Sequence, residues 1–230
     1  MNFSDPLLRG ILIRRYKRFL CDIRLDDGRE IVAVTPNTGS MKGVLIPGAP
    51  VLVSESKSLT RKIPFTWEMI FIEGAWVGVN THLPNLLVAE ALEKRIIPGL
   101  KQYREYRREV RLASGSRLDF ALGNDESALM EVKNVTLVEN GVALFPDSVT
   151  ERGTRHLHEL MEAVKHGKRA YMLFVCQHHQ AKWVSPADSI DPVYGRTLRQ
   201  AADAGVKLLA MKASVAPPMI RLADPLPVVL

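Results

Sequence analysis

Three residues in the middle of the chain have the types and spacing to act on a phosphodiester: Asp119, Glu131 and Lys133. Asp119 lies in one strand-like stretch, and Glu131 and Lys133 lie two positions apart in the next. On a strand, that spacing projects Glu131 and Lys133 from one face while Val132 points to the other. The turn-forming run Gly123-Asn124-Asp125-Glu126 between the stretches is short enough to fold Asp119 back beside Glu131. Two carboxylates and one ammonium group at a strand end suit a hard divalent cation. Mg²⁺ takes a few carboxylate oxygens and leaves positions for waters and a substrate phosphate. Such an ion, Mg²⁺ or Mn²⁺, would acidify a water and offset charge on the phosphate oxygens. Lys133 would position the attacking water and neutralise the same developing charge. Glu90, on the segment before, is the candidate third carboxylate, acting through a water. Alone, an Asp with a Glu-x-Lys is a weak signal, because a Glu/Lys pair on a strand is commonly a solvated edge. Here Leu129, Met130, Val132, Val135 and Leu137 surround the pair, and a charge inside an apolar strand needs a partner or a metal.

The elements that must hold these residues are readable from residue 84 onward. Leu83-Pro84-Asn85 opens a helix through Leu92, with Pro98-Gly99 as its stop. Three strand-like stretches follow, at residues 108–113, 116–122 and 128–138. A helix comes next: Ser148 and Glu151 have capping-box spacing, and Leu157, Leu160, Met161 and Val164 form an apolar stripe. Residues 170–176 are continuously apolar, as in a strand covered on both faces. A last helix over 197–204 and a strand over 206–211 complete the order. The first eighty residues differ: Cys21, Ile23 and Leu25 alternate with polar neighbours, and residues 31–34, 51–53 and 67–72 are further strand candidates. Short strands separated by Pro- and Gly-rich turns predict a small β-barrel of OB-fold size. The expected organisation is an OB-fold-like nucleic-acid-binding domain at 1–80 and an α/β domain at 81–230, α+β overall.

The chain carries 31 Lys and Arg against 25 Asp and Glu, a net charge of +6. Arg9, Arg14, Arg15, Lys17 and Arg18 cluster without an acid and with Tyr16 among them, a composition suited to phosphate contacts and base stacking. A second basic run spans residues 101–111, diluted by Glu105 and Glu109. The plainer reading of both is a solvated face. No stretch reaches the roughly 18 apolar residues that a membrane span needs, and the N-terminus lacks the pattern of a secretory signal. Cys21 and Cys176 lie far apart in apolar surroundings, read as reduced core thiols, so a soluble cytoplasmic protein is expected. His82, His178 and His179 lack a coherent metal-ligand spacing. Thr38-Gly39-Ser40 reads first as a tight turn and second as a phosphate-contacting loop. Trp67, Trp76 and Trp183 read as core or interface residues.

Several ordered motifs resemble the sugar fermentation stimulation protein A family along nearly the whole chain. They are Pro36-Asn37-Thr38-Gly39-Ser40-Met41; Val77-Gly78-Val79-Asn80-Thr81 with Leu83-Pro84-Asn85; Glu131-Val132-Lys133-Asn134-Val135-Thr136-Leu137; Phe145 to Gly153 with His156-Leu157; and Pro225-Leu226-Pro227-Val228. The resemblance implies an N-terminal OB-like domain and a C-terminal αβββαβ core of the PD-(D/E)xK nuclease type, with Glu90, Asp119, Glu131 and Lys133 at the nuclease-like positions. Arg152 and His156, spaced i, i+4, match the family's Arg-Gly-x-x-His-Leu stretch and join the nucleic-acid-binding set. It implies DNA binding largely without sequence specificity, with single strands or RNA as other partners, and a link to sugar-utilisation genes. An active Mg²⁺- or Mn²⁺-dependent nuclease is the alternative reading. The oligomeric state stays open, a homodimer included. A small-molecule-responsive regulator has no supporting motif.

Overall fold

The structure is a computed structural model describing residues 1–230. Five strands come first: β1 (Leu8–Tyr16), β2 (Leu20–Leu25), β3 (Glu30–Val34), β4 (Pro50–Glu55) and β5 (Phe65–Ile72). Their hydrogen-bonded order is β3-β2-β1-β4-β5, and a short parallel pairing of β3 with β5, Ala33 to Phe65 and Val34 to Thr66, closes the ring. Because alternate strand residues point inward, Leu12, Ile23, Ala33, Val51 and Trp67 fill the barrel and are fully buried. Trp67 satisfies its indole N–H on the Met69 carbonyl at 2.9 Å. Arg9, Arg14 and Arg15 of the basic stretch thus lie on strand β1, with Leu12 inside the barrel, and Lys17 and Arg18 lie in the turn after it. β6 (Ala75–Gly78) continues β5 as a hairpin.

The rest of the chain forms α1 (Leu83–Glu93), β7 (Tyr106–Arg111), β8 (Arg117–Leu122), β9 (Ala128–Val135), β10 (Leu137–Glu139), β11 (Val142–Phe145) and α2 (Glu151–Lys165). After these come β12 (Arg169–Cys176), β13 (Trp183–Pro186), α3 (Pro192–Asp203), β14 (Lys207–Ala216) and β15 (Met219–Pro225). The main sheet has the order β15-β14-β12-β9-β8-β7, with β12 parallel to both β9 and β14. Tyr171, Leu173 and Val175 of β12 pack in one apolar cluster with Leu87, Val88 and Leu92 of α1. Met172, Phe174 and Cys176 pack in the other with Leu157, Leu160 and Leu198 of α2 and α3. That two-sided cover is why residues 170–176 are apolar without interruption.

Four local expectations need correction. The stretch 128–138 is two strands, because β10 leaves the main sheet to pair with β11 in a separate three-stranded sheet with β13. The capping box from Ser148 does not form; Thr150 is the N-cap, its hydroxyl accepting the Gly153 N–H at 3.0 Å. Helix α1 ends at Glu93, before Pro98-Gly99, where Arg95 takes a positive φ of 54°. Helix α3 starts at Pro192, five residues before the expected start at Thr197, capped by Asp191 accepting from the Tyr194 N–H at 2.9 Å. Strands β1, β6, β11, β13 and β15 are not among the strands expected from the sequence. No helix is long and apolar enough to cross a membrane. Cys21 and Cys176 are free and buried, and burial pushes both thiols up to about 12.

Candidate active site

The register of β8 on β9 pairs Phe120 with Met130 and Leu122 with Ala128, so one more step places Asp119 opposite Glu131. There the ladder opens. Asp119 Oδ2 takes the Val132 N–H at 2.8 Å, and its Oδ1 takes the Asn85 side-chain amide at 2.8 Å from the first turn of α1. Glu131 shares the face of Leu129 and Val135, which packs toward α2. It is only 3 % exposed. Its Oε1 accepts from Lys133 Nζ at 2.6 Å and meets His156 Nδ1 of α2 in a short contact. Arg152, one turn before, lies 3.5 Å from His156 Nε2 through its Nε. Glu131 Oε1 is a carboxylate oxygen and can only accept, so His156 Nδ1 donates to it. The second oxygen, Glu131 Oε2, is buried and has no partner.

Asp119, Glu131 and Lys133 line one cavity of about 310 Å³ together with Asn85, Arg152 and Asn134. Burial, followed by the nearby Glu131 charge, pushes the Asp119 carboxyl up from 3.8 to about 6. Burial also acts to raise Glu131, but the His156 hydrogen bond and the Lys133 charge outweigh it, and the net shift is downward. One carboxylate is therefore held ionised while its neighbour is close to taking up a proton. Two carboxylates thus lie close together under mutual repulsion, and one of them keeps an oxygen that takes no hydrogen bond.

The barrel also reaches this cavity. Asn37 lines it, as does Asp147, which receives the Met41 N–H at 2.9 Å and the Ser40 hydroxyl at 3.1 Å. Arg15 fixes the same loop by donating to the carbonyls of Asn37 at 2.9 Å and Gly39 at 3.0 Å. A Cβ on Gly39 would stand 2.9 Å from Asp147 Oδ1, so the loop approaches this closely only with glycine there. Thr38-Gly39-Ser40 is a docked loop rather than an open anion nest.

Other expected residues lie elsewhere. Glu90 does not line the cavity: it binds the Met1 amino group and Lys94, both at 2.6 Å, more than a turn along α1 from Asn85. No three His, Cys, Asp or Glu side chains come together as a metal-holding group, so the three-carboxylate arrangement is not formed. His156 is no surface contact for nucleic acid; it is 2 % exposed and serves Glu131. Among the N-terminal cations, Arg14 pairs with Asp22 at 2.7 Å and Arg9 with Asp26 at 3.8 Å. Arg15 and Arg18 are turned onto loop carbonyls, and Lys17 alone has no partner within the protein. Asn85, Asn37, Asn134 and Asp147 carried no spacing signal, since each comes from a different segment. The i, i+4 spacing of Arg152 and His156 did mark a shared helix face, though not its inward role.

A family model described as the sugar fermentation stimulation protein RE domain matches residues 82–219, and one described as the SfsA N-terminal OB domain matches residues 13–79. The sugar fermentation stimulation protein homolog of Citrifermentans bemidjiense is 53 % identical over 231 residues, covering 100 % of both chains. That of Geobacter sulfurreducens is 52 % identical over 228 residues, covering 99 % of this chain and 98 % of its own. Among solved structures, Pyrococcus furiosus SfsA, described as in complex with Ca²⁺, superposes with a TM-score of 0.92 at 28 % identity, covering 100 % of this chain and 98 % of that one.

Proposed function

The chain belongs to the sugar fermentation stimulation protein A family, and from that premise we propose that it is a DNA-binding protein whose carboxylate cavity holds a backbone phosphate over a divalent cation. The observation that carries the reading is the buried, unpartnered Oε2 of Glu131, the residue opposite Asp119, whose carboxyl is pushed up to about 6. Buried carboxylate oxygens are normally satisfied, and a hard cation with oxygen ligands would satisfy this one. Asp119 and Glu131 would hold it, with waters and phosphate oxygens completing the shell. The homologue from Pyrococcus furiosus, described with Ca²⁺, supports a fold that accepts such an ion. When bound, Mg²⁺ or Mn²⁺ supplies charge neutralisation and acidification of a water.

The chain's own groups have distinct tasks. Lys133 and His156 hold Glu131 through Oε1 and leave Oε2 free. Lys133 also offers its remaining donors to a phosphate oxygen or to an incoming water, and Arg152 at the cavity wall offers a guanidinium to the phosphate. The placement of Lys133 favours a second reading, in which the held phosphodiester is hydrolysed.

Calorimetric Mn²⁺ titration of the wild type, Asp119→Ala and Glu131→Ala tests the first reading. The wild type binds and each variant loses at least about tenfold in affinity, since each removes one of two anionic ligands. Equal Mn²⁺ affinity in all three ends the assignment. Incubation of single- and double-stranded DNA and RNA with Mn²⁺ tests the second: cleavage that persists in Glu131→Ala places the chemistry elsewhere.

A further inference from the structure

We propose that Asn37, delivered by the barrel, contacts the substrate in the carboxylate cavity, its side-chain amide donating to a non-bridging phosphate oxygen of the bound strand. This deepens the reading of the cavity as a phosphodiester site and rests on it.

The carboxylates lining the cavity are Asp119, Glu131 and Asp147; Lys133, Arg152, Asn134 and Asn37 supply donors, and of these donors only Asn37 comes from the N-terminal barrel. Asn37 is 7 % exposed. Its Oδ1 is occupied by the Gly39 N–H at 2.9 Å and its carbonyl by Arg15 at 2.9 Å. Its Nδ2 makes no hydrogen bond inside the protein, and it is not among the side-chain atoms sealed from solvent. Of the carboxylates lining the cavity, Asp119 is taken by Asn85 and Val132, Asp147 by Ser40 and Met41, and Glu131 Oε1 by Lys133 and His156, while Glu131 Oε2 is the oxygen assigned above to the cation. A donor with no acceptor in the protein, on the wall of a cavity that holds a cationic lysine and arginine, matches a phosphate oxygen.

The amide is also fixed in advance. Arg15 holds the loop through its carbonyls and Asp147 through Ser40 and Met41, and the close approach at Gly39 leaves little room to shift. A donor held in place before the ligand arrives loses little freedom on binding. The barrel therefore completes the site as well as flanking it.

The test uses the ¹⁵N-labelled full chain and the dinucleotide pdTpdT as the probe. Asn37→Asp is the informative variant: it keeps the oxygen that accepts from Gly39 and replaces the donor by an acceptor. On titration, the Asn37 side-chain NH₂ signal of the wild type moves with saturation. Asn37→Asp weakens pdTpdT binding by on the order of 10- to 100-fold, the range for losing a hydrogen bond to a charged group. The Met41 backbone signal stays in place in the variant, which shows the loop still docked. The assignment is overturned if pdTpdT gives no saturable shift, if the Asn37 signal stays still while cavity signals move, or if Asn37→Asp binds as the wild type does. Failure of Mn²⁺ to bind while Asn37 still responds removes the metal reading alone. Normal Mn²⁺ binding with a neutral Asn37→Asp removes this one alone.

Discussion

At the scale of single residues, the site is a matter of which oxygen each donor takes. Asp119 spends both oxygens on neighbours, from the β9 backbone and from α1, whereas Glu131 spends only one. Asp119, Glu131 and Lys133 do come to line one cavity, as strand periodicity and a short turn lead one to expect. The sequence misassigned Glu90 and His156, because the helix face that looks into a cavity depends on how the helix lies on the sheet. Asp119 makes the site's pH behaviour checkable. Burial and the Glu131 charge raise its pKa from 3.8 to about 6. Between about pH 4 and about pH 6, the folded protein therefore retains a proton that the unfolded chain has released. The stabilisation from this group is complete at acid pH and is lost as pH rises through about 6. In metal-free buffer, the urea midpoint of Asp119→Asn gains on that of the wild type across this window. A difference between the two that stays constant with pH refutes the shift.

At the scale of elements, the chain announced its helices and buried strands better than its edges. The apolar run of β12 reads as a covered strand and the stripe on α2 as a core-facing helix, and both are so. What escaped was the departure of β10 from the main sheet, which follows from pairing with β11, a four-residue strand too short to show a period. The start of α2 escaped for a related reason: Ser148 and Thr150 are both good caps, and the choice falls to Thr150 because the chain reaches helical geometry only at Glu151. Thr150→Ala should cost about 1 kcal/mol of stability in chemical denaturation, the usual worth of such a cap. Ser148 makes no hydrogen bond, so Ser148→Ala should stay within about 0.5 kcal/mol. The reverse order would restore the capping box at Ser148.

At the scale of the whole molecule, net charge proved a coarser guide than its pairing. The cluster that drew attention in the sequence is largely spent on Asp22, Asp26 and loop carbonyls. Cations that remain without a protein acid include Lys17 at the end of the barrel and Arg104, Arg108 and Arg111 on or beside edge strand β7. Duplex DNA binding should weaken with salt, log K falling linearly with log[salt]. Lys17→Ala or Arg108→Ala should each reduce the magnitude of the slope by about 1 if those residues meet phosphates. Arg9→Ala and Arg14→Ala should change it less, since an acid already faces each. A slope near zero for the wild type would remove DNA binding from the reading.

The position of β12 between β9 and β14 has a bearing on how the molecule comes into being. β9 carries Glu131 and Lys133, yet the strand that covers its second edge is made about forty residues later, after α2 has crossed over. During synthesis, a chain that has emerged only as far as β9 exposes an unsatisfied apolar edge and has no His156 to hold Glu131. Binding competence should consequently switch on late and all at once. Parallel pairing across such a crossover closes a long loop before any contact repays it, so it should slow refolding relative to the hairpin contacts of β7, β8 and β9.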